Sequence, residues 1–115
     1  MKEIIMIIRP QNLEDVKEII ESINCGGMTI STVMGCGSQK GNVKGFNEIK
    51  GFKTTINLLP KIKVEVVVDD KDVETLIMSV REHLVTDHVG DGKIFVRNIE
   101  QAVRIRTGER GVKAL

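Results

Sequence analysis

The chain has 115 residues, of which 41% are hydrophobic and 29% charged, and its formal net charge at pH 7 is +1. A chain of this length forms one domain with a packed core. The small net charge provides no basic field for nucleic acid, and three phenylalanines without tryptophan or tyrosine offer few stacking platforms for single-stranded bases. We therefore predict a single domain over residues 1–115 that has no nucleic-acid partner.

The two cysteines, Cys25 and Cys36, match neither a disulfide framework nor a zinc site of four ligands. No apolar run approaches the roughly 18 residues of a membrane span. The N-terminal segment also lacks the apolar region and the cleavage site of a signal peptide. The sequence predicts a reduced cytoplasmic protein that does not insert into a membrane.

The N-terminal part reads as strand, helix and strand. A continuous apolar run at residues 4–8 predicts a buried strand. Apolar residues at helical spacing over 13–23 predict a helix that begins at an Asn12 cap and ends at the glycine pair 26–27. The β-branched residues in 28–34 predict the second strand.

A polar, glycine-punctuated segment follows over about residues 37–58 and has neither helical nor strand periodicity. In a compact domain an irregular loop of this length is usually functional or disordered. We predict a mobile arm that is rooted in a rigid ligand site.

The C-terminal part repeats the first pattern. Alternation over 62–68 predicts a third strand, helical spacing over 73–84 a second helix, and residues 94–96 begin a fourth strand. A short additional strand is predicted at 102–105. The order βαββαβ predicts an α+β, ferredoxin-like sandwich with both helices on one face of the sheet. The other face then needs a cover, and a symmetric oligomer of the chain would provide it.

Two segments offer chemistry for phosphate. Gly90-Asp91-Gly92-Lys93 lies between a helix and a strand, where glycines let backbone N–H groups approach an anion and lysine adds a charge. Arg104 and Arg106 flank Ile105, so on a strand both guanidinium groups project from one face and can hold a polyphosphate. A plain turn and a charged strand edge are the alternatives that the residues leave open.

The glycine-rich segment that begins at Gly35 is neither a Walker loop nor a dinucleotide-binding fingerprint. Its glycines can still present backbone donors, and Gln39 can act as a neutral oxygen ligand of hydrated Mg²⁺ beside phosphate. A flexible hairpin tip explains the same residues.

No pattern indicates catalysis. His83, Asp87 and His88 have no third close ligand and are typical of a solvated helix end, and Cys36 has no histidine placed beside it. Since no nucleophile–base pair or carboxylate dyad is found, we predict that the protein is not an enzyme.

Taken together, these segments resemble the PII nitrogen-regulatory signal-transduction proteins. The resemblance spans nearly the whole chain in order, and its parts are 7–10, 27–29, 35–41, 59–65, 90–96 and 104–109.

The resemblance implies a homotrimer that holds ATP or ADP in the clefts between subunits and binds 2-oxoglutarate, with Mg²⁺-ATP, at the root of the loop, called the T-loop. The residues that it assigns to the nucleotide are Thr29, Gly37, Ser38, Gln39, Glu65, Val67, Gly90, Asp91, Gly92, Lys93, Arg104 and Arg106. Those that it assigns to 2-oxoglutarate are Gln39, Lys40, Gly41 and Lys61, with Gln39 also a ligand of Mg²⁺.

The T-loop departs from the usual family pattern. The chain has no tyrosine, so uridylylation on tyrosine cannot occur, and Ser38 stands where many relatives carry a basic residue. The targets that the resemblance implies are an ammonium transporter, glutamine synthetase or, in nitrogen fixation, nitrogenase. A trimeric metal-binding module on the same sheet and an adaptor that ignores metabolites are the alternatives.

Overall fold

The computed structural model describes residues 1–36 and 58–115, which form a four-stranded antiparallel sheet and two α-helices. The elements are β1 (Lys2–Ile8), α1 (Leu13–Ser22), β2 (Thr29–Cys36), β3 (Leu58–Val68), α2 (Val73–Leu84) and β4 (Lys93–Asn98). The strand order is β2-β3-β1-β4. This arrangement confirms the predicted ferredoxin-like βαββαβ fold.

The core lies between one face of the sheet and the two helices. Alternate residues of β1 and β3 are buried on this face, and the apolar stripes of α1 and α2 pack against them. The most completely buried side chains are Ile4, Met6, Ile8, Val16, Ile20, Val64, Val68 and Leu76. The two central strands therefore hold the helices in place.

The intervening residues of the strands point to the opposite face, which we call the open face. Ile5, Ile7 and Val67 are only partly buried there, and Phe95 is 52% exposed. No element among the described residues covers these apolar side chains.

β3 begins at Leu58, earlier than the predicted 62–68, and takes in the end of the predicted loop. Its first residues pair with β2 alone, because the pairing with β1 stops at Ile62. Pro60 lies in this part of β3. Because only β2 pairs with it here, the N–H group that proline lacks is not needed for a hydrogen bond to a second neighbouring strand. The long strand carries Lys61 to the root of the segment 37–57, which lies outside the described residues.

The predicted start of α1 is confirmed, but its predicted end needs correction. The helix begins at Leu13 with Asn12 as the N-cap residue, although the Asn12 side chain forms no capping hydrogen bond and a 3₁₀ turn at Pro10–Asn12 leads into the helix. The helix ends at Ser22, and Asn24, with φ of 53°, makes the left-handed reversal that was predicted for the glycine pair. Asparagine tolerates this conformation because its short side chain bonds locally.

The predicted fifth strand is reduced to a single bridge between Val103 and Arg110. Residues between them form a tight turn, in which the Gly108 N–H donates to the Arg104 carbonyl at 2.7 Å. Among residues 1–36 and 58–115, no helix is long and apolar enough to cross a membrane.

Candidate functional site

Three charged side chains lie side by side at one end of the open face. Continuing the strand registers beyond Ile8 aligns Arg9 with Lys61 on one side and with Asp91 on the other. All three follow the open-face alternation, so the pattern brings two cations and one carboxylate together beside the start of β3, which follows residues 37–57.

Both cations bind the turn that precedes β4. The Lys61 ammonium donates to the Gly90 carbonyl at 2.9 Å, and the Arg9 guanidinium donates to the Val89 carbonyl at 3.1 Å. Burial lowers the pKa of Lys61, and the neighbouring Arg9 lowers it further, while Asp91 acts in the opposite direction. The two side chains thus tie the turn to β1 and β3.

Asp91 is held by Thr86 and Arg9. Its carboxylate accepts from the Thr86 hydroxyl and, at 2.8 Å, from the Thr86 N–H, and lies 3.3 Å from the Arg9 guanidinium. The hydrogen bonds from Thr86 are the main cause of a lowered pKa of Asp91, with Arg9 contributing less. This carboxylate therefore stays ionised as part of the turn.

The glycines of the turn adopt conformations that other residues avoid. Gly90 has φ of 103° and Gly92 φ of 110°. A Cβ on Gly92 would lie 2.0 Å from the Ile7 carbonyl oxygen. In the part of the chain that the structure describes, the N–H groups of Gly90 and Asp91 have no backbone acceptor. The turn can thus offer backbone donors to an anion, with Lys93 next to it.

A second group of predicted residues lies farther along the same face. Thr29, Glu65 and Val67 line a cleft of about 410 Å³ together with Glu3 and Leu115. Thr29 is the register partner of Glu65, which places both at this point of the sheet.

Arg104 belongs to the second group. Its guanidinium donates to the Leu115 carbonyl at 2.7 Å and lies 3.7 Å from the Glu109 carboxylate. The prediction that Arg104 and Arg106 share one strand face is wrong, because Arg106 lies in the turn closed by the bridge of Val103 and Arg110. Their assignment to phosphate stays a prediction.

The two groups are separate within one subunit. Lys61 and Glu65 are four residues apart on one strand, and at about 3.3 Å per residue this is roughly 13 Å. We call the first group the turn end; it consists of Arg9, Lys61 and residues 90–93. We call the second group the cleft end; it consists of Thr29, Glu65, Val67 and Arg104. The remaining predicted ligands, Gly37, Ser38, Gln39, Lys40 and Gly41, lie outside the described residues.

The residues that were considered and rejected as metal ligands or catalytic groups have ordinary surroundings. The His83 ring lies 2.7 Å from the Ser79 carbonyl one turn earlier in α2, and Cys36 is exposed at the end of β2. No cluster of metal-ligating side chains occurs within residues 1–36 and 58–115.

Sequence reasoning did not assign roles to Arg9 and Thr86. The signal for Arg9 was present, since the antiparallel pairing of the first and last strands aligns it with the residues before Lys93. Thr86 carried no such signal, because only the folded turn brings it to Asp91.

The fold and these groups define an α+β sandwich whose open face carries a turn held by cationic side chains at one end and a cleft at the other. Over residues 1–109 the chain matches the family model described as nitrogen regulatory protein P-II. The chain belongs to this family of nitrogen regulatory signalling proteins.

The curated relatives align with the full length of the chain. It is 46% identical to nitrogen regulatory protein P-II 2 of Methanothermobacter thermautotrophicus, covering 100% of this chain and 97% of that protein. It is 42% identical to nitrogen regulatory protein P-II of Rhizobium meliloti and 44% identical to that of Haemophilus influenzae, each with 100% of both chains covered. These relatives are named as regulators, not as enzymes.

Proposed function

We propose that this protein senses ATP or ADP together with 2-oxoglutarate and controls a target protein in the cytoplasm through residues 37–57, without catalysing a reaction. The observation that carries the proposal is the hydrogen bond of Lys61 to Gly90. It joins the residue assigned to the effector directly to the turn assigned to the nucleotide. Occupancy of one site can therefore influence the other, as a sensor of two metabolites requires.

In this proposal the nucleotide lies between subunits of a homotrimer. The turn end and the cleft end are separate in one chain, and a nucleotide at a boundary can contact the turn end of one subunit and the cleft end of another. The partly exposed apolar side chains of the open face, Phe95 among them, support a subunit contact there.

The oligomer can be tested with two matched substitutions. Phe95 on the open face is 52% exposed and Met78 on α2 is 58% exposed. Since an ammonium group is costly to bury in an apolar contact, Phe95→Lys should dissociate the trimer, whereas Met78→Lys should leave it assembled. Sedimentation velocity measures the outcome, and a wild-type monomer, or a trimer that tolerates Phe95→Lys, would contradict this arrangement.

The effector site would combine Lys61 with Gln39, Lys40 and Gly41, and Gln39 would also ligate Mg²⁺. When bound, Mg²⁺ would supply positive charge between the nucleotide phosphates and the 2-oxoglutarate carboxylate. Lys61 would contribute an ammonium group for a carboxylate, since an amine that donates one bond to Gly90 keeps two further donors.

Binding at the base of 37–57 would change which conformations of that segment are populated, and so whether it docks on a target. The candidate targets are an ammonium transporter, glutamine synthetase and nitrogenase. Because the chain has no tyrosine, regulation would come from ligands and not from tyrosine uridylylation.

ATP titration tests the nucleotide site. Saturable binding by calorimetry is expected for the wild type, and Lys93→Gln should weaken it about tenfold or more because a charge-assisted bond to phosphate is lost. Lys71→Gln removes the same charge from an exposed position in the turn before α2 and should have little effect. A wild type that does not bind ATP would leave a metabolite-independent adaptor or a metal-binding module as the explanation.

A further inference from the structure

A carboxylate lies inside the turn that would receive phosphate. Asp91 occupies the position between the two glycines and directly precedes Gly92 and Lys93. An ionised carboxylate at this place repels a polyphosphate, and at contact distances such repulsion is substantial where solvent is partly excluded. The turn therefore needs something that offsets this charge.

Arg9 provides the compensating charge. Its guanidinium lies 3.3 Å from the Asp91 carboxylate, and the two side chains are only 21% and 23% exposed. This pair is therefore more enclosed than a typical surface salt bridge, whose contribution is small. The same guanidinium donates to the Val89 carbonyl at 3.1 Å, so Arg9 fixes the backbone as well as the charge.

The donors of Arg9 are directed at the protein. One terminal nitrogen faces Asp91 and the other donates to Val89. Thr86 also donates to the Asp91 carboxylate, through its hydroxyl and its N–H. Donors from Arg9 and Thr86 thus contact both carboxylate oxygens and offset the charge.

We propose that Arg9 is a positioning residue for nucleotide phosphate: it offsets the Asp91 carboxylate and holds the turn through Val89, and does not bind the phosphate itself. This inference rests on the proposed nucleotide function. It implies that Arg9 is needed mainly because Asp91 is present, so that without the carboxylate the loss of the arginine should matter much less, with only the bond to Val89 still missing.

The test is a double-mutant cycle with ATP titrated into the full chain. Arg9→Gln should weaken ATP binding about tenfold or more, because it leaves a partly buried carboxylate without its cation. In the Asp91→Asn background the same substitution should weaken ATP binding by less than about threefold, because the charge that Arg9 offsets is already gone. The double variant is therefore compared with Asp91→Asn, and the expected result is strongly non-additive.

Lys17→Gln is the control for charge alone. Lys17 lies on α1, where its ammonium group forms an ion pair with the exposed Glu14 of the preceding turn at 3.4 Å, and its loss should leave ATP affinity unchanged. Thermal unfolding of each variant monitors the fold. If Arg9→Gln does not fold, the double variant carries the test, since the inference requires it to fold and to bind ATP within about threefold of Asp91→Asn.

The outcomes distinguish a failure of the proposed nucleotide function from a failure of the role proposed for Arg9. If the wild type does not bind ATP, the proposed function fails and this inference fails with it. If the wild type binds but Arg9→Gln binds equally well, only the role of Arg9 is overturned. If Arg9→Gln weakens ATP binding as much in the Asp91→Asn background as in the wild type, Arg9 does not act by offsetting Asp91, and the positioning role is also overturned.

Discussion

Gly92→Ala is expected to lower the free energy of unfolding by about 2 kcal/mol or more and to remove ATP binding. Gly92 has φ of 110°, a conformation that alanine rarely adopts, and the new Cβ would lie 2.0 Å from the Ile7 carbonyl oxygen and 3.1 Å from its carbon. These are backbone atoms of a central strand, so neither can shift without disturbing the pairing of β1 and β4. The turn must move instead, and its N–H groups move with it.

Gly111→Ala is the matched control. Gly111 also has a positive φ, of 71°, but a Cβ there would meet no atom within 4 Å. Only the conformational cost of about 1–2 kcal/mol remains, and ATP binding should persist. Chemical denaturation and calorimetry measure the two effects. Equal losses of stability in both variants, with ATP binding retained by Gly92→Ala, would show that the close approach to Ile7 is unimportant.

Lys61→Gln is expected to weaken 2-oxoglutarate binding about a hundredfold or more while ATP binding changes only a few-fold. Glutamine removes the ammonium group that Lys61 would contribute to the effector carboxylate, and its shorter side chain also loses the bond to Gly90. The pKa of Lys61 is lowered, chiefly by burial. Lys61 should therefore lose its proton at a lower pH than an ordinary lysine, whose pKa is about 10.4. As the pH rises, 2-oxoglutarate affinity should decline at that lower pH.

Lys63→Gln is the control for Lys61. It removes the same charge from the same strand and face, where Lys63 lies 3.5 Å from the Glu65 carboxylate. Calorimetry with Mg²⁺-ATP present should give nearly wild-type 2-oxoglutarate affinity for Lys63→Gln. Similar losses in both variants would indicate a general electrostatic effect and would remove the special role of Lys61.

The elements with strong periodicity were predictable from the sequence. The alternation that buries Val64, Val66 and Val68 and the stripe that buries Leu76, Val80 and Leu84 follow directly from packing two helices on one sheet face. Their order also predicts the topology, because two βαβ units in a short chain form one sheet with both helices on the same side.

The boundaries that depend on long-range contacts were not predictable. The start of β3 at Leu58 depends on pairing with β2, and residues 58–61 carry no alternation of their own. The single bridge of Val103 and Arg110 likewise depends on how the C-terminal segment folds back, and it removes Arg106 from the predicted strand.

The candidate site was predictable in part. Glycine chemistry and charge indicated the turn at 90–93, and the family resemblance supplied Lys61 and the cleft residues. The alignment of Lys61, Arg9 and Asp91 depends on strand register, which a local pattern does not contain. The contact of Thr86 with Asp91 depends on the fold of the turn itself.

The central claim is that the nucleotide and effector sites are coupled through one turn, and the most direct test is calorimetric titration of 2-oxoglutarate into wild-type protein. The titration is made once with saturating Mg²⁺-ATP and once without nucleotide. We expect saturable heat only when Mg²⁺-ATP is bound. Equal 2-oxoglutarate binding in both titrations, or none in either, would contradict it.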